Sequence, residues 1–159
     1  MKKTIIIIAG LIIIFGSLYL FSTRSSTKGI TGIKEEFSDS GFSISGNGKS
    51  LSAEYVEPSS IDFGLPVYPA AEPIKGEPVA GNFDFGGEKM SAATYSTSDT
   101  RDKVERYYMN QFGSEAVTGE AFQDELKFKV IKSKTNSGSF VNVWVENNIT
   151  YFTIIKPVK

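Results

Sequence analysis

This chain of 159 residues has no cysteine and no histidine. Without Cys it forms no disulfide, no thiolate metal site and no lipid linkage through an N-terminal Cys. Without His it lacks the commonest general base at neutral pH and the commonest transition-metal ligand. Ser-His-Asp and Cys-His catalysis are therefore excluded. Charge of one sign is also lacking, since the formal net charge is −1. From Ile61 onward there are 11 basic and 13 acidic residues. A nucleic-acid surface needs clustered Lys and Arg to displace counterions, so no nucleic-acid partner is expected.

What is present begins at the N-terminus. Lys2 and Lys3 precede Thr4–Phe21, eighteen residues without a charge, and Arg24 follows. As a helix this run is about 27 Å long, close to the ~30 Å hydrocarbon core of a bilayer. A secretory signal usually has an apolar region of roughly 7–15 residues and a small-x-small cleavage site. Here the run is longer, and only Thr23-x-Ser25 offers a poor site. Residues 1–21 are thus expected to stay as an anchor, with secretion after cleavage as the alternative. Lys and Arg are nearly balanced across the span, so the positive-inside bias does not set its direction. With so short a leading segment, a signal-anchor orientation is expected, placing the C-terminal part outside the cytoplasm. Ala9 with Gly16, and Gly10 with Ser17, are small residues seven apart that allow close helix packing, although no G-x-x-x-G is present.

Residues 22–60 are rich in Ser, Thr and Gly and read as a tether. Within them, Phe42–Ser45 and Leu51–Val56 alternate apolar and polar residues around Gly46-Asn47-Gly48, the pattern of a hairpin.

Residues 61–159 read as one small α+β domain. Val79–Phe85 and Glu88–Thr97 are expected strands joined by Gly86-Gly87, a pair suited to the positive φ angles of a tight turn. A helix is expected over residues 99–112, capped by Ser98 or Asp99 and closed by Gly113. Val104, Tyr107, Tyr108 and Phe112 share its apolar face, and Glu105 lies on the outward face. Leu126–Val130, Val141–Val145 and Ile149–Lys156 then form an antiparallel meander, with Asn147-Asn148 as a two-residue turn. Ala116–Gln123 fits a loop or a poor strand. The order β-β-α-β-β-β predicts an antiparallel sheet with one helix on one face, following the N-terminal transmembrane helix. The other face is expected to keep polar residues or to be covered by residues 40–60.

Gly64-Leu65-Pro66-Val67-Tyr68-Pro69-Ala70-Ala71, then Tyr95-Ser96-Thr97-Ser98-Asp99 and the helix carrying Val104 and Tyr107-Tyr108, form a pattern over about a third of the chain. It resembles small extracytoplasmic domains of uncharacterised bacterial lipoproteins and exported proteins. Ala70 stands where those domains commonly have Gly, and the lipid-acceptor Cys is missing. The resemblance implies a fold and a compartment but no reaction and no site residues.

Motifs with chemistry are few. Gly48-Lys49-Ser50 ends like a P-loop, but Ser43 occupies the position of the first glycine, and the motif reads as a turn. Glu115, Glu120, Asp124 and Glu125 are an acidic group without the spacing of a calcium loop, so no metal or other cofactor is expected. Lys127, Lys129, Lys132 and Lys134 suit either anion binding or protection of a strand edge, and the second is preferred. Asn148-Ile149-Thr150 is a glycosylation sequon. Tyr68 and Trp144 are the candidate partner-binding residues, because Trp and Tyr are enriched in binding hot spots. Trp144 also lies on the opposite strand face from Val141, Val143 and Val145, so one of the two sets is expected to be less buried. A core role for the same aromatics is the competing reading. The expectation is a non-catalytic binding or scaffold domain, engaging a protein or envelope component. The alternative is a His-independent enzyme built on carboxylates.

Overall fold

The computed structural model describes residues 34–46, 49–74, 79–123, 126–134 and 138–158. The expected span Thr4–Phe21 lies outside them, as do Asn47-Gly48 of the expected hairpin turn and Asp124-Glu125. Among the described residues, no helix is long and apolar enough to cross a membrane.

Among the described residues, ten strands form one antiparallel sheet. They are β1 (Lys34–Ser38), β2 (Gly41–Gly46), β3 (Lys49–Tyr55), β4 (Glu72–Pro73), β5 (Ala80–Phe85), β6 (Glu88–Thr97), β7 (Ala116–Gln123), β8 (Leu126–Ser133), β9 (Phe140–Glu146) and β10 (Ile149–Val158). Their order across the sheet is β1-β2-β3-β5-β6-β10-β9-β8-β7, with the short β4 beside β6. The helix α1 (Arg101–Phe112) lies between β6 and β7 in sequence. The expected α+β class with an antiparallel sheet and one helix is observed.

Local chemistry accounts for the turns. Gly86 and Gly87 have φ of 65° and 104°, which makes the tight β5–β6 hairpin. Asn147 and Asn148 have φ of 51° and 62°, the doubly left-handed turn that Asn tolerates best after Gly. Gly113, at φ 58°, ends α1, and its N–H reaches the carbonyls of Met109 and Asn110. The N-cap is Thr100, whose hydroxyl makes no capping bond. Neither expected cap serves, because the Asp99 carboxylate is already held by Tyr68 and Lys103.

Residues 34–55, set before the domain by composition, supply three strands of this sheet. The hairpin read at Phe42–Ser45 and Leu51–Val56 is β2–β3, with Phe42 opposite Ala53 and Ile44 opposite Leu51. Its strands extend the sheet beside β5 rather than lying across a face. Ala116–Gln123 is a full strand, paired along its length with β8.

The helix and the segment 56–71 cover one face. Val104 and Tyr108 are fully buried there against Phe152, Ile154, Val141, Val143 and Ile131, with Phe63, Leu65, Val67 and Tyr68 packed around them. Phe112 packs at the margin and is only partly buried. Glu105 is not free on an outward face, since Arg101 holds it one turn away along the helix.

The opposite face carries Phe42, Ala53, Phe83, Ala92 and Ile155, flanked by Met90, Tyr55 and Phe140. Trp144 lies on that face between the rings of Phe128 and Tyr151, at centroid distances of 5.3 Å and 5.6 Å. The central strands are thus buried on both sides. Val141, Asn142, Val143 and Trp144 are consecutive and all buried. The sequence correctly puts Trp144 opposite the valines, but neither set gives way there. Val145 and Glu146, at the strand end, are exposed, Val145 at 41%.

Candidate functional site

Three places on the molecule gather chemistry-bearing or exposed groups. The first surrounds Tyr68. Its ring meets Tyr107 edge-on at 5.2 Å and Phe152 at 6.4 Å. Its N–H donates to the Tyr108 hydroxyl at 3.1 Å, and its own hydroxyl donates to Asp99 Oδ2 at 2.7 Å. Lys103 Nζ donates to the other carboxylate oxygen at 2.7 Å. Thr150 Oγ1 donates to the Asp99 carbonyl at 2.7 Å, and the Asp99 N–H donates to Thr97 Oγ1 at 3.2 Å.

The electrostatics follow from these bonds. The Lys103 hydrogen bond, with that of Tyr68, holds the Asp99 carboxyl below its ordinary range. The same bond to Asp99 raises the Tyr68 hydroxyl. Burial pushes the Tyr108 hydroxyl far above the usual tyrosine value. Both carboxylate oxygens of Asp99 are taken, and the group fastens segment 56–71 and the start of α1 to the sheet. Tyr68 is half-buried within it. Downstream, Lys156 Nζ donates to the Asp62 carbonyl at 2.5 Å, and Ser139 Oγ donates to the Phe63 carbonyl. These bonds clamp the same segment at its other end.

The second place is Trp144. It is 6% exposed, so it offers a partner little surface. Tyr68 and Trp144 are not brought together. One lies on the helix side and the other on the opposite face. Among the described residues, no group of three or more acidic side chains could hold a metal ion. Glu120 is paired with Lys127 at 2.8 Å, which holds its carboxyl below the ordinary range.

The third place is the sheet edge formed by β7. Among the described residues, nothing pairs with its outer side. Eight consecutive residues there present backbone N–H and C=O groups outward in alternation. Phe122, near its end, is 70% exposed, with Lys127 Nζ 5.7 Å from its ring centre. The lysine run does not guard this edge: Lys127, Lys129 and Lys132 belong to β8, which is enclosed between β7 and β9, and Lys134 follows it. By register, Lys127 and Lys129 share the helix-side face while Lys132 lies on the other. The opposite edge, β1, is five residues long and carries Lys34, Glu35 and Glu36.

Sequence reasoning missed the β7 edge because Ala116–Gln123 has weak strand chemistry, with two alanines and a glycine among its eight residues. The available signal was Glu120 facing Lys129 and Phe122 facing Lys127 in a hairpin register. No protein-family model, curated protein or solved structure matches the chain.

Proposed function

We propose that this protein is a non-catalytic binding or scaffold domain, tethered to a membrane by Thr4–Phe21 and displayed outside the cytoplasm. The observation that carries this reading is the long edge at β7, unpaired among the described residues, with the exposed Phe122 beside it. An edge strand joins a partner by main-chain hydrogen bonds, while its alternate side chains choose the partner. The carboxylate best placed for chemistry, Asp99, is occupied by Tyr68 and Lys103. That supports binding over catalysis.

Two measurements test the reading. The full chain should resist alkaline extraction from membranes and keep an intact mass that includes Met1–Phe21; a product beginning near Ser25 shows secretion instead. A photo-crosslinker placed at Phe122 in intact membranes should yield a defined adduct, and Phe122→Lys should reduce partner capture about ten-fold, as loss of an aromatic anchor does. A hydrolytic or transfer activity of the full chain that Asp99→Asn abolishes would overturn it.

A further inference from the structure

We propose that the β7 edge pairs with the β7 edge of a second copy, antiparallel about a two-fold axis through Gly119, to make one continuous sheet. This rests on the reading of the domain as a binding module and names its partner.

The case begins with register. A two-fold axis perpendicular to a sheet keeps each residue on its own face, so facing residues must be an even number apart in sequence. Centring the pairing on Gly119 sets Thr118 against Glu120, Val117 against Ala121 and Ala116 against Phe122. Small residues then face large ones, and no charge faces its like. Centring one residue later would set Glu120 against Glu120 and is disfavoured by like-charge repulsion.

The strand lacks the usual guards of an edge. It has no proline and no lysine, and its one charged side chain, Glu120, is matched by Lys127 at 2.8 Å within the same copy. The other edge is guarded, with three charges in five residues of β1. Joining β7 of one copy to β1 of the next would leave a further β7 and β1 edge unpaired at each step, whereas β7 on β7 closes with two copies. Charge pattern and two-fold closure both select β7 on β7. Pairing along a single strand is a small interface, so reversible association is expected.

Gly119 supplies the test. A side chain built there meets nothing within 4 Å, so substitution leaves the single copy undisturbed. In the paired state the two new side chains face each other across the axis. Because the chain has no cysteine, Gly119→Cys introduces one thiol, and directly opposed residues lie within disulfide reach.

The full chain in detergent, and in its own membrane, is oxidised gently beside Ser98→Cys, an exposed position away from the edge. Gly119→Cys should give a single dimer band at least ten-fold faster than Ser98→Cys. Gly119→Lys alone and Gly119→Glu alone should each reduce the dimer fraction about ten-fold at matched concentration. Mixing the two should restore it. Thermal melts of each variant verify that the fold is intact, and the Cys result stands even where a charged variant fails to fold.

Equal crosslinking at Gly119 and Ser98, a dimer untouched by Gly119→Lys, or a ladder of higher oligomers would each overturn the proposal. A monomer that still loses partner capture on Phe122→Lys overturns the self-pairing alone. Absence of both dimer and adduct overturns the binding reading with it.

Discussion

The two faces of the sheet are both buried at their centre, but by different chemistry. On the helix side, aromatic and aliphatic side chains meet across layers. Phe152 stacks on Tyr95 at 5.4 Å and lies 5.5 Å from Tyr108 of α1. Hydroxyls on that side point to the rim, where they fasten the covering segment. The opposite face mixes aromatics with a polar row that crosses three strands. Thr94, Thr153 and Asn142 stand side by side on β6, β10 and β9, all buried. The two threonine hydroxyls are 2.9 Å apart, while Asn142 Oδ1 has no partner among the described residues. One face therefore draws its stability from apolar packing. The other depends in part on buried hydrogen bonds, because a buried polar group that loses its partner is costly.

The largest test of this contrast removes the ring at the centre of the helix-side cluster. Phe152 is fully buried among three other rings, so Phe152→Ala should destabilise the fold by about 4–5 kcal/mol, the upper part of the range for such a truncation. Urea melts measure it. Trp144→Ala probes the other face and should cost about 3 kcal/mol or more. If stability were unchanged while partner capture fell, Trp144 would be an exposed anchor and the second face would not be a core.

How much of this was legible in the sequence follows the same divide. Elements set by local chemistry were readable: β6 over Glu88–Thr97, the apolar stripe of α1, the Gly86-Gly87 and Asn147-Asn148 turns, and the Val141–Val145 alternation. The sheet's extent was not. Phe42 and Ile44 lie on a strand because Leu51 and Ala53 face them and Phe83 and Phe85 come next, a partnership made across about 40 residues of chain. Serine- and glycine-rich composition reads as a tether until that pairing exists. Alternation on β9 assigned each residue to the right face, but it carries no information about whether the second face is covered. That is why Trp144, proposed as a binding residue, lies in the interior, and why Tyr68 is spent on holding segment 56–71. The β7 edge depended on strand order, which no local pattern encodes.

A smaller effect sharpens the contrast within the second face. Thr153→Val leaves the Thr94 hydroxyl buried without its partner and should cost about 1–2 kcal/mol. Replacing both, Thr94→Val with Thr153→Val, removes the polar pair together. The double variant should then be less destabilised than the sum of the two single changes. A double-mutant cycle in urea measures the coupling. Strict additivity would mean that the two hydroxyls act independently and that the polar row is incidental to the face.

The smallest expected effect is on the rim of the helix side, where Asp99 accepts from Lys103 and Tyr68. These bonds hold its carboxyl below the ordinary range, first through Lys103 and then through Tyr68. The sign follows directly. In the unfolded chain the group titrates near its usual value of about 4. The folded protein keeps it ionised to lower pH, so between the two values the unfolded state binds more protons. Stability from Asp99 is therefore present above about pH 4 and is lost as pH falls through the folded value. At neutral pH, Asp99→Asn should lower the melting temperature by a few degrees, because Asp99 is only half-buried and its ion pair with the exposed Lys103 is screened. Once the pH is below the folded value, wild type and variant should converge. Tyr68→Phe removes one of the two bonds and should narrow the same difference without abolishing it. Parallel melting curves for wild type and Asp99→Asn from pH 7 down to about pH 2.5 would show that the rim bonds contribute no pH-dependent stability. The clamp on segment 56–71 would then rest on Lys156, Ser139 and the apolar packing of Phe63 and Leu65 alone.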